Sequence, residues 1–482
     1  PDNSLEVFNQ SDEAIKVALA TLSTPNRLLS YFGRAQYEYD NRYLLTASIR
    51  RDGSSRFGTN NKWGFFPSVG LGWRISEETF LANNKVITNL KLRGSYGITG
   101  NQEIGDYKSL AQLKSKNYIY NDALMQGFYE TIGNPDLKWE RTKQFDLGFD
   151  LSLWNRIHLN VDYYSRRTSD LLYDVPIPST SGFSTMLSNI GIVSNKGVEI
   201  ALSGRIVETK DFKLDATVNI SKNKNEIKEL YNDVESITVT SGLGLSKYLK
   251  VGESLLSIYG LKSEGIIKTE EQLAAYQKIV PTAQLGDEMY ADIDDDKAIT
   301  AKDQINIGET EPNFFYGVAL NLEYKKFHLD ILGQGAHDFA AVGASNSDMK
   351  IGIHGYGDSF NYLLVGENQT DNRCCLPSKY AYERMWSPSN PNGTFPRAGA
   401  SNLYLSDRSN SGWNYFIIKS IALSYNFGNN PIKGIKGIKG ISAFVNLQNF
   451  ITFANHRGYN PENGDTSNPW IKTITIGVNA KF

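Results

Sequence analysis

Long hydrophobic runs are missing from this 482-residue chain. No stretch of about 18 apolar residues occurs, so no helix is long and apolar enough to cross a membrane, whereas strands of roughly 9–11 residues would leave a much weaker hydropathy signal. Cysteine is nearly absent, and the two present, Cys374 and Cys375, are neighbours. They make neither a disulfide framework nor a metal-ligand spacing, and read as loop thiols or a local vicinal bridge. A basic excess is lacking too: 50 Lys and Arg stand against 52 Asp and Glu, which gives no reason to expect a nucleic-acid partner, since that would need a basic patch or stripe. The five histidines show no close pairing, and no Ser/His/Asp or paired-carboxylate spacing occurs, so an enzyme is not expected. Pro1 is not an initiator and no signal peptide precedes it, which reads as a processed chain or the C-terminal part of a longer one.

What the chain does have is aromatics and glycine: 27 Tyr, 23 Phe, 7 Trp and 42 Gly against 5 Met, a mix that suits half-buried strands, tight turns and aromatic girdles. Apolar and polar residues alternate at strand length. Phe145, Leu147, Phe149, Leu151 and Leu153 interleave with Asp146, Gly148, Asp150 and Ser152, and the pattern recurs at 43–51, 157–164, 198–206, 212–221, 316–324, 327–335 and 417–427. A β-sandwich alternates as well, so the connections carry the next step. Short turns (40–42, 155–156, 208–211, 325–326) take turns with long insertions (52–62, 100–138, 169–190, 341–412, 454–470), the asymmetry of an outer-membrane barrel.

The last strand alternates to Phe482, with Ile474, Ile476, Val478 and Ala480 on the same face. If that end lies in the periplasm, strand 471–482 runs inward, 440–453 outward, 412–427 inward, 326–340 outward, 312–325 inward and 212–225 outward. Everything from about 226 to 311 is then extracellular, including the strand-like piece 257–267. Thirteen spanning strands result, an odd number whose open edges would leave backbone groups unpaired in lipid at several kcal/mol each, so strands are missing from the N-terminal side.

Several motifs now converge. Arg50-Arg-Asp-Gly-Ser-Ser-Arg-Phe-Gly58 with Phe66-Pro-Ser-Val69 and Trp73, Gly133-Asn-Pro-Asp-Leu-Lys-Trp-Glu140, and Asn195-Lys-Gly-Val-Glu199 resemble SusC-like TonB-dependent outer-membrane transporters. So do Trp386-Ser-Pro-Ser-Asn-Pro391 followed by Pro396-Arg397, and Gln448-Asn-Phe450 followed by Gly458-Tyr-Asn-Pro-Glu462. The resemblance implies an all-β transmembrane antiparallel barrel of 22 strands, of which these are the last 13, with the plug, the TonB box and the first strands absent. It divides the chain into an extracellular loop segment (1–28), barrel strands (29–225), an extracellular subdomain (226–311) and further barrel strands (312–482) carrying a long outer loop at 341–411. It implies import of an oligosaccharide or peptide across the bacterial outer membrane, a SusD-like lipoprotein as lid, TonB as energy source and outer-membrane lipid around the wall, and is compatible with a dimer of barrel–lid pairs. Two other readings stay open: a related barrel serving as a structural or accessory subunit of an envelope complex, and a soluble glycan-binding β protein.

The most chemical stretch is acidic. Asp292, Asp294 and Asp296 sit at positions 1, 3 and 5 of an EF-hand-like loop, Ala298 offers a carbonyl at 7 and Asp303 falls at 12, so a structural Ca²⁺ is expected there. Lys297 stands where that loop prefers Gly and Asp303 where it prefers Glu, which weakens affinity to ~10⁻⁴–10⁻³ M; the alternative is a solvated acidic loop. Thr269-Glu-Glu-Gln272 reads as a capping box opening a short helix. Tyr356, Tyr380, Trp386, Tyr404 and Trp413 are candidate substrate-stacking aromatics, weighed against loop packing. Arg50, Arg51, Asp52 and Arg56 are either a ligand contact or a salt-bridge network within the loop. Thr475, Gly477, Ala480 and Phe482 look like a barrel assembly signal, against an ordinary edge strand.

Overall fold

Alternation at this length builds strands whose two faces meet different media. In chain order they are β1 (Leu28–Tyr39), β2 (Tyr43–Ser54), β3 (Trp63–Arg74), β4 (Ile87–Asn101), β5 (Gln112–Tyr120), β6 (Ala123–Thr131), β7 (Glu140–Leu153) and β8 (Ile157–Ser169). There follow β9 (Leu172–Pro176), β10 (Thr185–Asn189), β11 (Ile192–Glu208), β12 (Phe212–Glu229), β13 (Ser236–Thr240), β14 (Lys247–Lys250), β15 (Ser257–Leu261) and β16 (Ser263–Ile266). After helix α1 (Glu270–Tyr276) come β17 (Glu288–Tyr290), β18 (Gln304–Glu309), β19 (Phe314–Tyr324), β20 (Phe327–Phe339), β21 (Trp413–Asn429), β22 (Gly440–Ala454) and β23 (Thr473–Lys481). The computed structural model describes residues 26–120, 123–181, 183, 185–231, 234–240, 247–339, 382–397, 400, 404–409, 413–429, 439–455, 460–462 and 470–481.

Thirteen strands form one antiparallel sheet in the order β1-β2-β3-β4-β7-β8-β11-β12-β19-β20-β21-β22-β23, with β1 and β23 as its two edges. The count and the all-β class agree with the sequence reading, and the sheet is open. At its short-turn end, Arg42 and Arg156 donate their backbone N–H to Tyr39 and Leu153 across turns whose central residues sit at positive φ, Asp40 and Asn41 at 51° and 55°, Trp154 and Asn155 at 52° and 53°. That is the sign pattern of a type I′ turn, whose twist matches the strands it joins.

Two details differ from the sequence reading. Connection lengths do not strictly alternate, because residues 55–62 at the long end are fewer than residues 75–86 at the short end. The latter segment lies across the aromatic end of β2 and β3, where the Glu78 carboxylate accepts hydrogen bonds from Tyr43 Oη (2.8 Å) and Trp73 Nε1 (2.9 Å). The strand-like piece 257–267 is two strands, β15 pairing with β18 and β16 with β17, separate from the thirteen.

The wall is polar on one face and apolar on the other. Leu92, Phe145, Leu147, Ile200, Leu202 and Ile220 are all more than a third exposed, as are Ile476 and Val478 at 79% and 68%. A contiguous apolar face of this size is a membrane-facing surface, which counts against a soluble β protein. Buried apolar clusters lie instead among the long connections and the strand ends that meet them.

Candidate functional site: the cap on the long-connection end

The cap is assembled from residues 230–313 and 382–409, two segments far apart in sequence. Its helix α1 starts with the expected capping box: Thr269 accepts from the Gln272 backbone at 3.2 Å and Gln272 Oε1 from the Thr269 backbone at 3.2 Å. The helix buries Tyr276 against Ile267 and Ala283. Burial pushes the Tyr276 phenol up to about 12, and its hydroxyl accepts the Tyr290 backbone N–H at 3.1 Å. Burial, then the hydrogen bond to Glu253, likewise raises Tyr259.

Two buried carboxylates tie the segments together. Asp287, 4% exposed, takes Arg397 Nε at 2.7 Å, and Glu288, fully buried, takes the hydroxyls of Ser263 and, at 3.3 Å, Tyr290 with the Arg408 guanidinium 3.7 Å away. Leu261 N–H donates to the Leu405 carbonyl at 2.7 Å and Ser263 N–H to Asp407 Oδ1 at 2.9 Å. The sequence reading did not find Asp287 or Glu288. Their arginine partners, Arg397 and Arg408, lie over a hundred residues away, and only Arg397 belongs to one of the family-like motifs.

In the acidic loop, Asp292, Asp294 and Asp296 each bring one carboxylate oxygen within 4.8 Å of the others, a spacing that hard-cation ligands can share. Lys297 adopts φ 66°, the left-handed turn that position requires, without the glycine that would reach it freely. Asp292 accepts from the backbones of Asp296 (3.2 Å) and Lys297 (2.8 Å), and Ala298 donates its N–H to Asp296 Oδ1 at 3.0 Å. Asp303 stands outside the trio: its fully buried carboxylate accepts the Ile293 and Thr300 backbone N–H groups, each at 2.7 Å, closing the loop on itself. Lys302 Nζ lies 3.8 Å from Asp294.

The candidate aromatics divide. Trp386 packs its ring where a Cβ on Gly286 would come within 2.3 Å of it, and Tyr404 packs at a 54° tilt against Tyr290, ring centroids 5.5 Å apart, while exchanging backbone–hydroxyl hydrogen bonds with it. Both pack inside the cap. Trp413 begins β21 opposite Phe339. Tyr356 and Tyr380 fall outside the described residues, as does Phe482 of the assembly signal. Thr475, Gly477 and Ala480 lie on β23, where Gly477 leaves room for the Phe444 ring, which a Cβ would meet at 2.4 Å.

The quoted motifs staple the rim. Phe57 and Phe66 pack on Trp139 at 4.9 and 5.3 Å, and Trp139 Nε1 donates to the Lys62 carbonyl at 3.0 Å. A Cβ on Gly58 would sit 1.8 Å from the Pro135 carbonyl oxygen, so the two motifs interlock only with glycine there. Arg50 pairs with Asp52 (2.7 Å) and Arg56 with Asp106 (2.8 Å), a charge network within the rim, while Arg51 lies 4.8 Å over the Trp63 ring. Asn195 Oδ1 accepts from Asn223 (3.2 Å) and Asn225 (2.9 Å), and Asn225 Oδ1 accepts the Leu255 N–H at 2.8 Å, joining wall to cap.

The polar face below is charged but paired. Arg93 bridges Asp150 (2.8 Å) and Asp162 (3.0 Å), and Asn160 joins Asp150 at 2.9 Å. Near the rim a bulge at Lys419 aims its ammonium at Glu462 (2.6 Å) and over the Trp470 ring (3.7 Å). The same face also carries a hydrogen bond between Ser152 Oγ and His158 Nδ1 at 2.9 Å.

Comparison with known proteins agrees. Residues 4–248 match the family described as TonB dependent receptor-like, beta-barrel. TonB-dependent receptor P3 of Formosa agariphila is 32% identical over 505 residues, covering 100% of this chain and 48% of the relative. TonB-dependent receptor SusC of Bacteroides thetaiotaomicron is 30% identical over 480 residues, covering 95% and 44%. The chain thus spans about half the length of the curated relatives it matches. The solved structure of the RagAB peptide transporter superposes with a TM-score of 0.77 at 26% identity, over 96% of this chain and 49% of that one. Its open-open state superposes at 0.76 and 25% identity.

Proposed function

Because the chain belongs to the TonB-dependent receptor β-barrel family, a family of outer-membrane transporters and not of enzymes, we propose that it is the wall and outer cap of an importer for a nutrient oligomer, peptide or glycan. The observation that carries this is the thirteen-strand wall, apolar outside and polar within, whose long connections fold into a cap at one end only. With the cap outside the cell, an incoming solute meets it first and then the polar face around Arg93, Asp150 and Asp162. In this proposal the rest of the barrel and the plug come from chain outside these residues, a SusD-like lipoprotein closes over the cap, and TonB drives release. The likeness to a peptide transporter favours a peptide over a sugar.

The test is native purification of the full-length protein from outer membranes in mild detergent, with mass spectrometry of what accompanies it. A SusD-like lipoprotein with bound peptide is expected. Other envelope machinery without a ligand would instead make the barrel a scaffold and end the transport reading.

Within this proposal the acidic trio holds a structural Ca²⁺. Its three carboxylates fit a hard cation, and the turn at Lys297 already has the required hand. Ca²⁺ would neutralise charge that Lys302 alone offsets weakly at 3.8 Å. Titration of the purified protein with millimolar Ca²⁺, followed by calorimetry, should release heat that Asp292→Asn abolishes; equal heat from both proteins would discard the site.

A further inference from the structure

The membrane-facing side of β7, β8, β11 and β12 changes character abruptly along its length. From the short-turn end it reads Leu153, Leu151, Phe149, Leu147 and Phe145 on β7, and Ile157, Leu159, Val161 and Tyr163 on β8. On β11 it reads Leu202, Ile200 and Val198, and on β12 Leu214, Ala216, Val218 and Ile220. Beyond that belt every strand turns cationic: Lys143 on β7, Arg167 on β8, Lys196 on β11, Lys222 and Lys224 on β12, all exposed. The register has no shift through these rows, so the charges share one face and fill three successive rows at the outer end of the belt: Lys143 with Arg167, Lys196 with Lys224, and Lys222.

That level matches the membrane boundary. From Leu153 to Lys143 the strand advances about 33 Å, which at a tilt of ~40° is roughly 25 Å along the membrane normal, the usual height of the apolar band. The cations therefore emerge where lipid tails give way to headgroups, on the side of the cap.

The arrangement is costly unless an anion joins it. Lys143 is directly opposite Arg167, and Lys196 directly opposite Lys224, like charges that repel across a sheet. Carboxylates on this face are few: Glu226 on β12, and Glu229 at the end of that strand, opposite Ile192. Glu226 is the one nearest the cations. It lies 3.8 Å from Lys224 and is already in close contact with Lys228. The charge is local: on the same face, in the row of Ile220, β19, β21 and β22 present Tyr316, Phe416 and Phe453 as a chain of ring contacts, with Phe314 beyond Tyr316.

We propose that this basic band on β7, β8, β11 and β12 binds the phosphate groups of an anionic glycolipid in the outer leaflet. The occupant follows from the place: the apolar belt holds its acyl chains, and the cations above bind phosphate as clustered Lys and Arg do at membrane surfaces. It rests on the outer-membrane location and is independent of what the barrel carries.

The test inserts the full-length protein into phosphatidylcholine nanodiscs doped with phosphorylated lipid A or its phosphate-free counterpart, and reads retained lipid by native mass spectrometry. Wild type should retain the phosphorylated lipid, and K143Q/R167Q/K196Q/K224Q should retain roughly tenfold less. The phosphate-free lipid should be held as weakly by both. Equal retention by variant and wild type, equal retention of the two lipids, or displacement by inorganic phosphate at the lipid's own concentration would each overturn the proposal. So would a band that instead holds a second copy, seen as a charge-dependent dimer without lipid. Heat-modifiable migration on gels checks assembly; if the fourfold variant fails it, K143Q/R167Q is read alone against the same outcomes.

Discussion

Strand β7 in the wall and the cap around Tyr290 distribute polarity in opposite ways. On β7 the apolar residues Phe145 and Leu147 face outward, 44% and 45% exposed, while Asp146 and Asp150 face the interior and bind Ser95 and Arg93. In the cap the order is that of a water-soluble domain, with Ile267 fully buried and Tyr290 1% exposed, and the trio of carboxylates at its surface. The difference teaches that two solvents act on one chain. Lipid rewards the wall for exposing what water makes the cap hide, and backbone pairing, not a packed core, holds the wall together.

Four substitutions break or sharpen that contrast. The largest effect is expected from Asp287→Ala, which takes the buried carboxylate from the part-buried Arg397 guanidinium and should cost the cap up to about 3–5 kcal/mol. Limited proteolysis should then cut within 382–409 while the wall keeps its heat-modifiable migration; simultaneous loss of both would show that cap and wall are one cooperative unit. Next comes a pair of neighbours on β11. Ile200→Arg on the lipid face should cost about 2–4 kcal/mol, falling with distance from the bilayer midplane. Ala201→Arg, on the polar face between Asn160 and Asn219, should cost far less by urea titration in bilayers. Similar costs at the two positions would reverse the assignment of faces. Gly58→Ala drives a methyl into the Pro135 carbonyl and should cost about 1–3 kcal/mol, read as proteolytic opening of the rim.

The smallest effect concerns Glu309 in the cap, whose carboxyl is raised chiefly by burial and then by the charge of Glu311. A raised folded-state value means the native state holds its proton more tightly than the unfolded chain. Stability is then favoured at low pH and declines as pH rises from the ordinary glutamate range through the folded value. Glu309→Gln should flatten that decline in thermal melts between about pH 4 and pH 7, and an unchanged slope would assign the decline to other groups.

The wall was legible because period-2 alternation is a local signal: each strand declares its two faces, and parity then fixes direction. The capping box at Thr269 is local as well and forms as read, and the acidic spacing is local too, its three carboxylates each bringing an oxygen within 4.8 Å of the others. What spacing could not show is which connection folds on which. The pairing of Asp287 with Arg397 joins two loops across a hundred residues, and no periodicity encodes it. For the same reason spacing left Trp386 and Tyr404 open between substrate stacking and loop packing, because the partners they pack against, Gly286 and Tyr290, come from the other connection. Asp303 matched a ligand position by count, yet its two oxygens are engaged by the loop backbone, a choice set by the 3₁₀ turn Ala301–Asp303.

Most neighbours in the wall are joined by hairpins, but β12 and β19 meet only after the chain has passed through residues 230–313. Closing such a span costs roughly 3 kcal/mol more entropy than closing a three-residue turn, since the penalty grows with the logarithm of length. Contacts of this sequence separation form late. The hairpins on either side can zip early, so the β12–β19 seam, like the β20–β21 seam that closes over residues 340–412, is expected to form late. A cap that folds first, with Asn225 already gripping Leu255, shortens the free loop and brings the two sides within reach.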